Sequence, residues 1–230
     1  MPATGTAFAH AGLRSRFLDG LTRSEIETIF ASGTQQRFLA NSVIVNQGNQ
    51  ASHFFLLTKG RARYFFITQE GHKNLLYWLT PGHVFGTMAF LPKPSLYLVS
   101  TEAVKDSSVI VWDSATIRGL TARYPQLVEN ALATTADYLG WYVATHVSLM
   151  GQTARQRLAH LLICLSDIIG QEVSGGIELQ VTNEELASAA NITPFTASRL
   201  LSEWQRSRAI FKNRGKIVLR AKERLFLQVI

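Results

Sequence analysis

The spacing of apolar residues changes twice along this chain of 230 residues. Between Ser15 and Ser32 the residues Leu21, Ile26, Ile29 and Phe30 fall at helical spacing, and Ser24-Glu25-Ile26-Glu27 reads as a helix start. From Gln36 onward short runs replace that pattern. Residues 42–45, 54–57, 62–66 and 108–111 are rich in β-branched and aromatic side chains, as strands are. Gly48, Gly60, Gly71 and Gly82 punctuate the region at intervals of 12, 11 and 11 residues. Turn residues so spaced predict an antiparallel sandwich or roll. Near Ala122 the period becomes helical again. Leu127 to Ile169 contains no proline, and Leu132, Leu139 and His146 recur every seven residues. Thr135 or Ala136, Tyr142 or Val143, and Leu149 or Met150 fill the alternate positions of this heptad-like seam. An exposed seam needs a partner, and an identical chain is the simplest one. A two-fold dimer through Leu132, Leu139, Tyr142, His146 and Leu149 is therefore expected. Gly151-Gln152 interrupts the helix, and Thr153 caps a second one over 154–169.

The C-terminal third carries the most specific pattern. Thr182-Asn183-Glu184-Glu185 has the S/T-x-x-E form of a capping box, so a short helix starts there, with Leu186, Ala187 and Ala190 on a small-residue face. Asn191-Ile192 breaks it. Thr193-Pro194 then supplies an N-cap followed by proline at the first helical position. On the helix that follows, to about Arg206, Ala197, Leu200, Leu201 and Trp204 form an inner face. Phe195, Ser198, Arg199, Ser202 and Arg206 form an outer one. Two helices joined this way read as a helix-turn-helix. Residues 210–219 follow as a hairpin with a basic tip at Lys212, Arg214 and Lys216, a wing able to lie along phosphates.

Charge strengthens this reading. The formal net charge is +7, and from Arg199 to Ile230 nine basic residues stand against Glu203 and Glu223 alone, so this end holds the whole excess. A polyanion partner follows. Hydrophobic residues make up 47% and charged residues 17% of the chain, a composition that folds rather than staying disordered. The single cysteine, Cys164, excludes a disulfide framework and a four-cysteine iron–sulfur cluster within one chain, and reads as a packing residue. No apolar run is long enough to span a bilayer, and residues 1–16 lack the core of a secretory signal. A cytoplasmic location with no membrane partner is expected.

From Thr182 to Leu219 the chain resembles the DNA-binding domain of the CRP/FNR family of bacterial transcription regulators. Thr196-Ala197-Ser198-Arg199-Leu200-Leu201 resembles the core of that family's recognition helix. Asn46-Gln47-Gly48, the run 54–60, the run 79–86 and the run 157–162 are similar to its β-roll and to the helix after its hinge. The resemblance implies an α+β protein. Its parts would be an N-terminal antiparallel β-roll sensor over 1–122, a dimerisation helix and hinge over 123–152, and a winged helix-turn-helix over 153–230. It implies a homodimer on a palindromic operator in double-stranded DNA, with RNA polymerase as a further partner. It places Arg199 on a guanine edge, Ser198 on a base, and Thr193 and Thr196 on phosphates. Thr182 and Ser202 join them as DNA-facing candidates. Phe195 departs from the family's usual glutamate. It cannot accept from a cytosine amino group but can touch a thymine methyl.

The sensor departs further. Relatives that bind cyclic AMP hold the ribose with a glutamate and the phosphate with an arginine. Here Thr87 replaces the first, Tyr97 and Leu98 replace the arginine and serine, and Tyr142 and Val143 take the base-facing positions on the long helix. A buried cyclic phosphate without a cation is an unpaired charge, so cyclic-nucleotide binding is expected to be lost. Thr87, Met88, Phe90, Tyr97, Leu98, Tyr142 and Val143 outline a pocket for a hydrophobic or aromatic effector, or one filled by its own side chains. No cofactor or metal is expected. Haem sensing by the same fold is the alternative, with His146, His83 and His10 as the histidines to consider, and no Cys-x-x-Cys-His attachment motif is present. A cupin-type enzyme is the rival from another class, but His53, His72 and His83 are dispersed, and no nucleophile–base pair stands out. A β-roll ligand-binding protein whose helix-turn-helix docks protein is a third reading, which the basic wing disfavours.

Overall fold

The computed structural model describes residues 13–93, 95–213 and 215–226. The chain divides into two compact units. The first holds the described residues up to Ile67 together with Tyr77–Gly140; the second holds Thr68–Leu76 and the described residues from Trp141 onward. The division runs inside a helix that the sequence pattern sets apart as its own segment over 123–152.

The first unit opens on helix α1 (Arg23–Ala31) and continues through strands β1 (Thr34–Phe38), β2 (Val43–Val45), β3 (His53–Lys59), β4 (Ala62–Ile67), the end of β5 (Lys73–Leu79, whose residues up to Leu76 belong to the second unit), β6 (Val84–Phe85), β7 (Ser100–Ala103) and β8 (Ser107–Asp113). Helices α2 (Ser114–Arg123) and α3 (Gln126–Gly151) follow. One sheet has the order β1-β8-β3-β6 and the other β2-β7-β4-β5, with antiparallel pairing. This is the antiparallel roll that the strand spacing predicts. The runs 54–57 and 108–111 pair directly, Phe54 with Trp112 and Leu57 with Val109. They read as continuous apolar runs because both faces of their sheet are covered. Phe54, Leu56, Ile110 and Trp112 pack with Ile29, Ile117 and Leu127 of the helices, while Phe55 stacks on Phe85 at 4.7 Å between ring centroids. Each such side chain contributes about 1.5–3 kcal/mol by its removal from water. Gly60 and Gly82 take left-handed φ values of +91° and +95°. A Cβ there would lie 2.4 Å from the Asp106 carbonyl oxygen and 2.0 Å from that of Arg14, so no side chain fits.

Several elements depart from the apolar pattern. Helix α1 starts one cap earlier than Ser24: Thr22 is the N-cap, its hydroxyl accepting from the Glu25 N–H while the Glu25 carboxylate accepts from the Thr22 N–H. Helix α2, capped by Asp113, fills a stretch where no helix is expected. β1 is a polar, largely exposed strand, and β7 is polar yet buried. Glu102 of β7 is only 4% exposed and ion-pairs with its cross-strand neighbour Arg63.

The second unit contains the end of α3, helix α4 (Ala154–Ile168), strands β9 (Gln171–Val173) and β10 (Gly176–Leu179), helices α5 (Asn183–Ala189) and α6 (Pro194–Arg206), strands β11 (Ile210–Asn213) and β12 (Lys216–Leu219), and helix α7 (Lys222–Phe226). Its sheet has the order β11-β12-β10-β9. Thr153 caps α4 in a reciprocal box with Gln156, as its position after the hinge predicts. The β9–β10 hairpin is not foreseen from sequence. It extends the wing into a four-stranded sheet through the pairing of β10 with β12. Leu75 donates to Ser188 Oγ at 3.0 Å and Trp141 Nε1 to the Leu76 carbonyl at 3.1 Å, which ties residues 68–76 into this unit.

Candidate nucleic-acid interface

The second helix of the pair is built by its own sequence. Thr193 accepts from the Thr196 N–H at 3.1 Å, satisfying a donor at the N-terminus of α6, and Pro194 at the first position has no N–H to satisfy. Before it, Thr182 and Glu185 form a capping box on α5. Between the helices Asn191 takes φ +49°, a left-handed conformation that asparagine tolerates better than most residues. Arg157 of α4 fixes the turn by donating to the carbonyls of Ala190 at 2.8 Å and Asn191 at 3.0 Å.

Helix α6 is strongly two-faced. Ala197, Leu200, Leu201 and Trp204 are buried, as their spacing predicts. Phe195 on the opposite side is 78% exposed. An aromatic ring held that far into water at the start of a helix has no packing role within the chain. Arg199 also stands on the outer side, with Ser198 and Ser202 half-buried beside it. The Ser202 hydroxyl donates back to the Ser198 carbonyl at 2.8 Å. Thr196 shares a hydroxyl contact of 2.9 Å with Thr193. Glu203, which the sequence pattern does not single out, accepts from Arg199 at 2.7 Å and also pairs with Arg155 of α4. The four-residue spacing of Arg199 and Glu203 is the signal that could have found the first pair; the second requires the fold.

In the wing, β11 and β12 pair from Ile210 with Leu219 to Asn213 with Lys216. Lys212 is half-buried, and Lys216 is exposed and bridged to Glu178 of β10 at 3.0 Å. Arg214 lies outside the described residues, as does His10.

The residues read as an effector pocket have different surroundings. Phe90 packs into the core against Phe54 at 4.7 Å between centroids, and Leu98 is 69% exposed. The Tyr97 hydroxyl accepts from the His53 N–H at 2.9 Å and donates to the His53 carbonyl at 2.8 Å. Thr87 and Met88 lie half-buried in a 3-10 turn, and Tyr142 and Val143 belong to the second unit. Inside the first unit the structure also gathers Tyr64, Tyr77, His83 and Tyr138, with Tyr138 5.0 Å from Tyr77 and 5.7 Å from Tyr64 between centroids. They come from β4, β5, a turn and α3, so no sequence spacing unites them. A cavity of about 370 Å³ lies beside them, lined also by Arg14, Arg16 and Asp137. His83 Nδ1 accepts from the Thr80 N–H at 2.9 Å, and burial holds its imidazole below the ordinary histidine range. Among the described residues no group of three or more His, Cys, Asp or Glu is placed to hold a metal ion.

On α3 the proposed seam residues Leu132 and Leu139 are 69% and 62% exposed in the single chain. Leu149 and His146 are also exposed, and Tyr142 is half-buried. Among the described residues no helix is long and apolar enough to cross a membrane.

Residues 35–124 match the cyclic nucleotide-binding domain, and residues 156–226 match the Crp-like helix-turn-helix domain. No curated protein matches the sequence significantly. Among solved structures, FixK2 from Bradyrhizobium japonicum superposes with a TM-score of 0.74 at 23% identity, covering 86% of this chain and 98% of its own. The c-di-GMP responsive global regulator CLP from Xanthomonas campestris gives 0.75 at 16% identity, covering 86% and 99%. A CRP-family transcriptional regulator from Thermus thermophilus gives 0.71 at 21% identity, covering 84% and 96%. These likenesses establish the fold. With both matched domains in order along one chain, the protein belongs to the CRP/FNR family of DNA-binding transcription regulators.

Proposed function

We propose that the protein is a homodimeric transcription regulator that binds a palindromic operator through α6 of each copy and does not answer to cyclic AMP. The observation that carries this reading is the outer face of α6, where Arg199 and a solvated Phe195 stand opposite a fully buried apolar face. Arg199 reads guanine through O6 and N7, Ser198 reaches a neighbouring base, and Phe195 touches a thymine methyl. Thr182, Thr193, Thr196 and Ser202 lie at the flanks of the contact, and Lys212, Lys216 and Arg214 add phosphate neutralisation from the wing. Two recognition helices one helical turn of DNA apart need two copies, and the exposed leucines of α3 supply the surface that joins them. RNA polymerase is the further partner, and the cytoplasm is the compartment where both partners meet.

Loss of cyclic-nucleotide control is supported by what the substituting residues do. Tyr97 has both hydroxyl functions engaged with His53. Arg63, a half-buried cation on β4, is committed to Glu102. A phosphate could recruit Arg63 only by stranding a buried carboxylate. The effector is therefore a different molecule or none; an aromatic one with polar substituents would find Tyr77, His83 and Tyr138 beside Arg14, Arg16 and Asp137. Selection of bound duplexes from a randomised library with purified protein tests the reading. A palindromic consensus with guanine at a fixed place in each half-site is expected; no enrichment over input DNA would refute it.

A further inference from the structure

Reading a guanine edge requires the guanidinium of Arg199 to be aimed, and we propose that Glu203 aims it, with Arg155 as the counter-ion that keeps Glu203 in place. This inference rests on the proposed DNA-reading role of Arg199. Arg199 Nη1 donates to Glu203 Oε1 at 2.7 Å, one helical turn along α6. The other carboxylate oxygen, Oε2, is taken by Arg155 Nη2 from α4. A guanidinium presents parallel N–H pairs along two edges, Nη1 with Nη2 and Nε with Nη2. Glu203 occupies Nη1, and Arg199 makes no other hydrogen bond or ion pair among the described residues. The Nε–Nη2 edge is left without a partner among the described residues, a fork that matches guanine O6 and N7 together.

The intrahelical pair alone would not hold this geometry. Pairs four residues apart are weak in exposed helices, and base-before-acid is the poorer order. Arg155 changes the balance by gripping the carboxylate from a different helix. The Glu203 side chain is 28% exposed against 54% for Arg199, so the acid lies against the protein while the arginine stands out. The same arrangement explains how an acid can sit at a DNA-facing helix. Two guanidiniums on one carboxylate leave the cluster with net positive charge, so it still attracts phosphates. While the Nε–Nη2 edge of Arg199 meets a base, its Nη1 stays on Glu203 and Arg155 grips the other oxygen, so the half-buried carboxylate keeps its cations.

The test uses the full-length dimer, the duplex selected by the wild-type protein, duplexes with the half-site guanines replaced, and an unrelated duplex of equal length, read by fluorescence anisotropy. Glu203→Ala should reduce discrimination between the selected and guanine-replaced duplexes by about tenfold or more. Affinity for the unrelated duplex should stay equal or rise, because a negative charge has gone. Glu203→Gln, which keeps the acceptor oxygen and the shape, should lose part of the discrimination, and Arg155→Met should shift it in the same direction. In an Arg199→Ala background, Glu203→Ala should change nothing further. Wild-type discrimination in folded Glu203→Ala or Glu203→Gln overturns the proposal, as does tighter operator binding by either variant, which would make Glu203 a restraint on Arg199. Retained discrimination in Arg199→Ala overturns the reading of Arg199 itself, so the two failures are distinct.

Discussion

Replacing Leu139 with aspartate tests the dimer at one residue. Leu139 is 62% exposed in the single chain. If a second copy covers it, the hydrophobic contribution of the newly buried part is about 1–2 kcal/mol per copy, or about 2–4 kcal/mol for the symmetric pair. Aspartate forfeits that contribution and places two carboxylates in the seam, each with a desolvation penalty of several kcal/mol when unpaired. Even a partial penalty brings the total beyond about 4 kcal/mol, roughly a thousandfold in the dimer dissociation constant at 1.4 kcal/mol per tenfold. Sedimentation velocity over a concentration series should show monomer where the wild type is dimeric. Circular dichroism should show the helices retained, because Leu139 lies outside the core of the single chain. Leu139→Met, which conserves volume, should remain dimeric. An intact dimer of Leu139→Asp at low micromolar concentration would place the interface on another surface. Operator affinity should fall together with dimerisation, since each half-site needs its own recognition helix.

Other outcomes are expected from the same structure. Arg199→Ala should lose roughly 1–3 kcal/mol per half-site and relax the preference for guanine, while Lys212→Ala should weaken all duplexes alike and lower the salt dependence; the reverse pattern would exchange their roles. Cyclic AMP and cyclic GMP at millimolar concentration should produce no melting shift, because the Tyr97 hydroxyl and Arg63 are both already engaged; micromolar binding in a calorimeter would contradict this. The folded chain keeps His83 neutral below the usual value of about 6.5. The unfolded chain then takes up the proton first as pH falls through that value, so stability should decline there. His83→Phe should flatten the decline in melting curves recorded between about pH 8 and 5, and an unchanged slope would assign it to other groups.

How far the sequence revealed this molecule depends on whether a residue's task is local. The starts of α5 and α6 were legible because a threonine cap, a glutamate three residues on and a proline at the first helical position act within one turn. Strands β3 and β8 were legible because sheets covered on both faces need continuous apolar runs. β7 was not, since Ser100, Thr101 and Glu102 look solvated and are buried only because the roll supplies partners from other strands, Arg63 among them. β1 was missed for the opposite reason: it lies at the edge of its sheet and keeps polar side chains in water. On α6 the buried and exposed sides followed from spacing alone. The second grip on Glu203 did not, because Arg155 is 48 residues away in the chain.

The pairing of β1 with β8 also sets the order in which the chain can assemble. Phe38 meets Ser107 and Thr34 meets Val111, contacts separated by 69 and 77 residues. Loop closure of that span must be met before any ladder contact rewards it, and topologies dominated by such contacts fold in milliseconds to seconds. On the ribosome, Phe54 to Leu57 therefore emerge and wait for a partner that is synthesised some fifty residues later. An apolar run in that position is available to chaperones or to another nascent chain in the interval. By contrast, the turn between α5 and α6 closes over neighbours a few residues apart. By contact separation alone, the roll is thus expected to assemble more slowly than the α5–α6 pair.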